Sequence, residues 1–246
     1  MFSLARMQKK DFCPRAFNFR YLDSRGLFSE EVESLIEQFR FEEIAEMQRY
    51  YLVANLAREF FYLRPESRNS LRKTILRECS KLGLRESEKE ETLVSLEAFI
   101  ESEFYLETNP SLVNHVEIEK HPVIHIGEQE VTGSVHLSWI ESQGKFNIVK
   151  ISQKSETDLS FPVLYAFKKY QVLPEKLNVA VLNPENWHCQ WHPVDWHAVS
   201  ILQDQALSFK LEEGFSKYPP TPHESRCQLC AYSQVCYEHS SELDSQ

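Results

Sequence analysis

From residue 28 to 63, apolar residues return at three- and four-residue steps: Leu35, Ile36, Phe39, Ile44, Met47, Tyr51, Leu52 and Leu56. That period is one face of an α-helix. Ser29 is placed to cap it, and Glu30 and Glu31 fall in the first turn, where the helix dipole favours acids. Pro65 ends the pattern. Two more helices are expected at 66–82 and 86–107, separated by Gly83. Residues 1–25 read as a short helix or turn around Cys13.

The period changes after Pro110. Val113 to Ile118 alternates, Glu130 to Ile140 is rich in β-formers, and Lys145 to Ser152 follows a turn at Gln143-Gly144. These segments predict three strands joined as a meander. A helix is expected over Asp158 to Val172, then strands over Lys176 to Leu182 and Trp187 to Val194. Asp195 is placed to cap a last helix, reaching Glu213. Helices first, then strands with helices between them, predict an α/β or α+β domain with one mixed sheet. We expect a single domain over 1–246, with a helical region at 28–107 and a sheet core at 112–213. No internal repeat interrupts it.

Composition narrows the partners. The chain has 246 residues, 42% of them hydrophobic, so a substantial core is available. The net charge of −10 disfavours a protein that holds nucleic acid by bulk electrostatics, though it is compatible with a local basic groove. The charge is unevenly spread. Arg64 to Arg85 carries seven basic residues and two acids, and Glu86 to Glu107 carries eight acids and one lysine. Lys73, Arg77 and Lys81 recur every four residues, as a DNA-tracking stripe would. The acidic segment comes next in the chain, so an antiparallel helical hairpin whose faces neutralise one another is the favoured reading. No apolar run reaches the ~18 residues of a membrane-spanning helix, and the first residues show no signal-peptide core. We therefore expect a cytoplasmic protein with no membrane contact, in which cysteines more often bind metal than form disulfides.

The cysteines are the strongest chemical signal. Cys227-x-x-Cys230 is followed after five residues by Cys236, and Cys13 stands alone near the other end, in Cys13-Pro14-Arg15-Ala16-Phe17. Four thiolates suit either zinc or an iron–sulphur cluster by ligand type. A zinc ribbon normally offers two paired knuckles, so the solitary Cys13 favours a 4Fe-4S cluster, with one structural zinc as the alternative. Cys79 and Cys189 fall outside the group and read as buried small hydrophobes.

A lone N-terminal Cys-Pro-Arg-x-Phe with a C-terminal CxxC-x5-C, preceded by Pro219-Pro220-Thr221-Pro222, resembles the iron–sulphur RecB-like nucleases of the PD-(D/E)XK superfamily. That group includes the AddB-type and CRISPR-associated exonucleases. The resemblance implies a restriction-endonuclease-like core, a mixed sheet flanked by helices. It also implies a cluster held by Cys13, Cys227, Cys230 and Cys236 that staples the chain ends onto that core.

The resemblance further implies two carboxylates and a lysine on adjacent strands, where they hold Mg²⁺ or Mn²⁺ and help activate water. This sequence keeps the frame and loses those side chains. Gly133-Ser134-Val135-His136 fits Gly-x-x-Asp with histidine at the aspartate. Lys150 and Ser152 stand at the acid and the lysine of the second strand. The family's Gln-x-x-x-Tyr helix motif survives as Phe161-x-x-x-Tyr165, and its early helical histidine has no counterpart in 28–63. A lysine at a metal-ligand position repels a divalent cation by Coulomb's law. Ser152-Gln153-Lys154 restores a lysine but no acid. Glu128 and Glu130, if they continue the strand of His136, stand on the order of 20 Å from it.

Trp187 to His197 holds several metal-binding residue types. On one strand, however, His188 and His192 stand roughly 13 Å apart, and Trp187, Cys189 and Trp191 would form the buried face. His121 and His125 share the spacing problem. We see no phosphate loop and no nucleophile elbow. The expectation is a catalytically degenerate, nuclease-like accessory or scaffold. It would have no catalytic residues, no catalytic Mg²⁺ or Mn²⁺ and no small-molecule substrate, and its partner would be DNA or a nucleic-acid-processing protein. The alternatives are an active DNA exonuclease with relocated ligands and a redox- or iron-responsive interaction protein.

Overall fold

The structure, a computed structural model, describes residues 2, 3, 6, 7, 9, 10, 13–22, 30–63, 67–108, 114–116, 118, 122–153, 158–209, 227, 228, 230–233 and 236. The proposed cap Ser29, the breakers Pro65 and Pro110, His121, Lys154 and the Pro219-Pro220 segment lie outside these residues. Among the described residues no helix is long and apolar enough to cross a membrane.

A mixed sheet of five strands organises the fold. The strands are β2 (Asn114–His115), β5 (Leu137–Ile140), β6 (Phe146–Ile151), β7 (Leu177–Leu182) and β8 (Cys189–His192), in the order β2-β5-β6-β7-β8. Only the β6–β7 pair is parallel. A parallel neighbour needs a crossover, and α6 (Ser160–Tyr170) supplies it. A second sheet has the order β1-β4-β3, from β1 (Phe2–Ser3), β3 (Val123–Ile126) and β4 (Gln129–Thr132). Gly127 and Glu128 form the two-residue turn of its β3–β4 hairpin, with Gly127 at φ 59°, where a side chain is disfavoured.

Both faces of the larger sheet are covered. On one, Phe146, Ile148, Leu177 and Val179 pack with α6, the smaller sheet and α7 (Trp196–Ser208). On the other, Leu137, Trp139, Val149, Ile151, Ala180 and Leu182 pack with the helical region. That region holds α2 (Glu30–Leu63), α3 (Arg68–Lys81), α4 (Glu86–Glu101) and the short α5 (Glu103–Glu107). Strand alternation sends neighbouring residues to opposite layers, so β6 and β7, buried on both faces, are almost continuously apolar. A mixed α/β fold is therefore as the sequence pattern predicts.

Three expectations are corrected. The segment Glu130 to Ile140 is not one strand. It divides between β4 and β5 in different sheets, because Gly133 passes hard against the Phe161 ring on α6: a Cβ there would lie 2.4 Å from the ring. The helix expected at 86–107 breaks at Ser102, whose hydroxyl accepts the N–H of Tyr105 and so caps α5. The apolar stripe expected along α2 also shifts. Val32, Ile36, Ala54, Leu56, Ala57, Phe60 and Phe61 are buried, whereas Ile44, Met47 and Tyr51 are exposed.

The charge-contrasting helices do meet. Arg68 on α3 pairs with Glu101 on α4. Arg77 and Lys81 instead pair with Glu78 on their own helix, at 2.9 and 2.8 Å. These exposed pairs contribute little to stability.

Candidate functional site

The first candidate is the cysteine group. Pro14 opens α1 (Pro14–Tyr21) and Cys13 occupies its N-cap, with the Cys13 N–H donating to the Lys9 carbonyl at 3.0 Å. Proline suits the first helical position because its φ is already helical and its missing N–H is not needed there. At the other end, successive turns set the spacing. The Cys230 N–H donates to the Cys227 carbonyl at 3.2 Å, the Ser233 N–H to the Cys230 carbonyl at 3.1 Å, and the Cys236 N–H to the Tyr232 carbonyl at 3.0 Å. Tyr232 is fully buried between Phe19 and Phe39, at ring separations of 5.6 and 6.1 Å. This anchor joins Cys13, Cys230 and Cys236 to the same apolar cluster as Ala16, Phe19, Val32 and Ile36.

The structure thus brings the two ends of the chain together. All six cysteines are free thiols. Burial pushes the Cys230 and Cys236 thiols up, and each also feels Cys13 and Cys227. Arg15, only 8% exposed, is lowered by burial and held against that by Cys236 and Cys13. The cation therefore acts on one cysteine from each end. Among the described residues, no three His, Cys, Asp or Glu side chains are set as a formed ion site. Cys13 and Cys236 are the two thiols that act on the buried Arg15.

The second candidate is the end of the β5–β6 pair. His136 is 5% exposed; its N–H donates to the Val149 carbonyl at 3.0 Å, and its Nδ1 accepts the Ile151 N–H at 2.9 Å. An accepting Nδ1 places the ring proton on Nε2. Burial lowers the His136 pKa to about 3, helped by the charges of Lys150 and Arg58, so the ring is neutral at pH 7. Lys150 is half-buried on β6, and its ammonium donates to the Asp158 carbonyl at 3.1 Å. Ser152 is half-buried just past the strand, its N–H donating to the Leu182 carbonyl at 3.0 Å. Tyr165 is fully buried on α6, stacked on Phe161 at 6.1 Å.

Sequence reasoning placed α2 but missed three of its side chains that reach the sheet. Tyr50, Arg58 and Tyr62 on α2 all reach to the sheet region: Tyr50 donates to the Ile151 carbonyl and Arg58 to the Ile118 carbonyl. Tyr62 accepts the Ser138 N–H at 2.9 Å and donates to the Val116 carbonyl at 3.1 Å. Burial pushes both phenols up. The signal was present, since positions 50, 54, 58 and 62 recur every four residues along one face of a helix.

The remaining tempting residues stay apart. Glu130 lies on β4, in the other sheet, and Glu128 lies in the β3–β4 turn. His125 is on β3, also in that sheet. Trp187 is buried, but it precedes β8 with φ 53°. Trp187 and Cys189 pack with the helical-side core as expected, whereas Trp191, on the edge strand β8, is 48% exposed. Burial pushes the half-buried Cys189 thiol up to about 12, and Cys79 lies fully buried among the helices.

No family model matches the chain, and no curated protein matches it. Among solved structures it is similar to the crystal structure of SSO0001, at 15% identity over 76% of this chain and 84% of that one, with a TM-score of 0.28. A likeness that weak carries no argument about fold or function.

Proposed function

We propose that the protein is a catalytically degenerate, iron–sulphur-stapled member of the PD-(D/E)XK type, serving as a non-catalytic accessory or scaffold in nucleic-acid processing. What supports this reading is that Cys13, Cys230 and Cys236 pack against one apolar cluster with Tyr232, and that the buried Arg15 feels Cys13 and Cys236. Residues more than 200 positions apart would gain little from converging thiols and a buried guanidinium unless those thiols held something. A 4Fe-4S cluster on Cys13, Cys227, Cys230 and Cys236 would supply structural cross-linking between the chain ends. Arg15 would then offset part of the negative charge gathered there.

The strand order β5-β6-β7 with the α6 crossover is compatible with the same reading. So is the adjacency of His136 and Lys150 at the position where carboxylates would be needed. Lys150 and Arg58 put positive charge where a nuclease metal would sit. This favours the non-catalytic role over an active exonuclease, and Glu130, one candidate replacement ligand, lies in another sheet.

Anaerobic purification with iron, sulphide and zinc analysis tests the staple. Wild-type protein should be brown with about four irons per chain, and Cys13→Ala should lose them. A colourless wild type holding one zinc would overturn the cluster. The same preparation, incubated with single-stranded DNA and Mn²⁺ or Mg²⁺, should leave the DNA intact; cleavage lost on Lys150→Ala would overturn the non-catalytic role.

A further inference from the structure

The helix α2 is buried at its two ends and bare between them. Val32 and Ile36 enter the apolar cluster of Tyr232, and Ala54, Ala57 and Phe61 enter the core on the helical side of the larger sheet. In the middle, Phe41 is 72% exposed, and Ile44, Met47 and Tyr51 lie between 38% and 44%. At 3.6 residues per turn these four fall within roughly a third of the helix circumference and run about 15 Å along its axis. That is the width of an apolar face that a helix normally buries. A contiguous stripe of large apolar side chains marks a contact surface, as single scattered ones do not.

The charge around the stripe selects what can cover it. Glu30 and Glu37, both exposed, continue the line of Ile44 and Tyr51 towards the N-terminus in seven-residue steps. From Glu30 to Tyr51 the helix carries seven acids and two arginines. Both arginines are engaged elsewhere: Arg40 donates to the Phe19 and Leu22 carbonyls at the end of α1, and Arg49 pairs with Glu91 on α4 at 3.1 Å. Arg20 of α1 does lie against the stripe, donating to the Met47 sulphur at 3.2 Å and to the Arg40 carbonyl at 3.0 Å. It borders Met47, and the Glu30–Glu37 end stays acidic.

We propose that this stripe docks a basic amphipathic helix of a partner protein. The partner's apolar face lies on Phe41, Ile44, Met47 and Tyr51, and its lysines or arginines meet Glu30 and Glu37. A straight stripe about three turns long suits another helix, packed ridge into groove. A second copy of this chain would bring two acidic faces together, which costs affinity. The surface stands on α2 alone, whatever the cysteines hold, and gives the accessory role a partner of stated chemistry.

The experiment titrates the full chain at physiological salt with a fluorescein-labelled peptide of leucine and lysine at helical spacing, read by fluorescence anisotropy. The controls are the same peptide with glutamate for lysine and a shuffled leucine–lysine peptide without the helical spacing. Wild type is compared with Phe41→Ser/Ile44→Ser, with Glu30→Gln/Glu37→Gln and with Leu173→Ser, an exposed apolar residue outside the stripe. Circular dichroism checks each fold, so that either double variant can decide if the other misfolds. The basic helical peptide should bind at least tenfold more tightly than both controls. Its binding should fall at least tenfold in a folded double variant and stay unchanged in Leu173→Ser. Equal binding to wild type and a folded double variant, equal binding of the acidic peptide, or no binding at all would overturn the proposal. So would a wild-type dimer in sedimentation velocity that Phe41→Ser/Ile44→Ser dissociates, because a second copy would then be the occupant.

Discussion

The backbone N–H of Ile151 donates to Nδ1 of His136 at 2.9 Å, across the end of the β5–β6 pair. That bond is made only by the neutral ring, and Lys150 and Arg58 both oppose a second charge beside them. The folded pKa of about 3 lies below the ordinary histidine value of 6.5. The folded state therefore resists protonation that the unfolded chain accepts. The stability is fully present above about pH 6.5 and is lost as pH falls towards 3, by up to about 1.4 kcal/mol per unit. Urea unfolding at pH 7, 6, 5 and 4 should show a steeper loss for wild type than for His136→Gln. Parallel slopes would show that the ring does not act in this way.

The same two cations predict how the site answers to metal. A divalent ion at the end of β5–β6 meets the ammonium of Lys150 rather than a carboxylate. Mn²⁺ at millimolar concentration should leave the melting temperature of the wild type unchanged. The double variant His136→Asp/Lys150→Glu supplies two carboxylates on adjacent strands and should gain a Mn²⁺-dependent rise of several degrees. A double variant that folds and shows no rise would mean that these two positions do not face one ligand.

Where the sequence was legible, one periodicity dominated. The apolar runs of β6 and β7 and the 3.6-residue period of the helices placed most elements within a few residues. Of the cysteines singled out by their spacing, Cys13, Cys230 and Cys236 pack against one apolar cluster. The misses have physical causes. The central part of α2 is amphipathic by its residue types, yet Ile44, Met47 and Tyr51 sit on its exposed side. The burial is decided instead by contacts with the sheet and with α3 and α4, information a local period does not carry. Arg58 was invisible for a related reason: its role is set by Ile118 and His136, residues far along the chain. Trp187 looked like a strand residue by type, but its left-handed backbone follows the 184–186 turn, and its ring packs on Phe99.

Gly133 gives a steric prediction. Phe161 is fully buried, and its ring carbons nearest the backbone would lie 2.4 to 2.7 Å from a Cβ at position 133. The ring cannot swing away cheaply, because those atoms sit at the base of the side chain. Gly133→Ala should destabilise the protein by about 1–3 kcal/mol. Phe161→Leu removes the flat ring, so the double variant should be less destabilised than the two single costs added together. Strict additivity in denaturant unfolding would mean that the two positions do not press on one another.

Trp187 separates a hydrogen bond from packing. Its ring lies 4.6 Å from that of Phe99, and its indole N–H donates to the Ser95 carbonyl at 2.6 Å, tying the turn before β8 to α4. Trp187→Phe keeps most of the apolar contact but leaves that carbonyl without the indole donor, at a cost of about 1–3 kcal/mol. Trp187→Ala removes the ring as well and should cost about 3–5 kcal/mol. The ordering is the test. If Trp187→Phe is as damaging as Trp187→Ala in chemical denaturation, the hydrogen bond carries the contact. If it is neutral, water replaces the indole and the packing alone holds the turn.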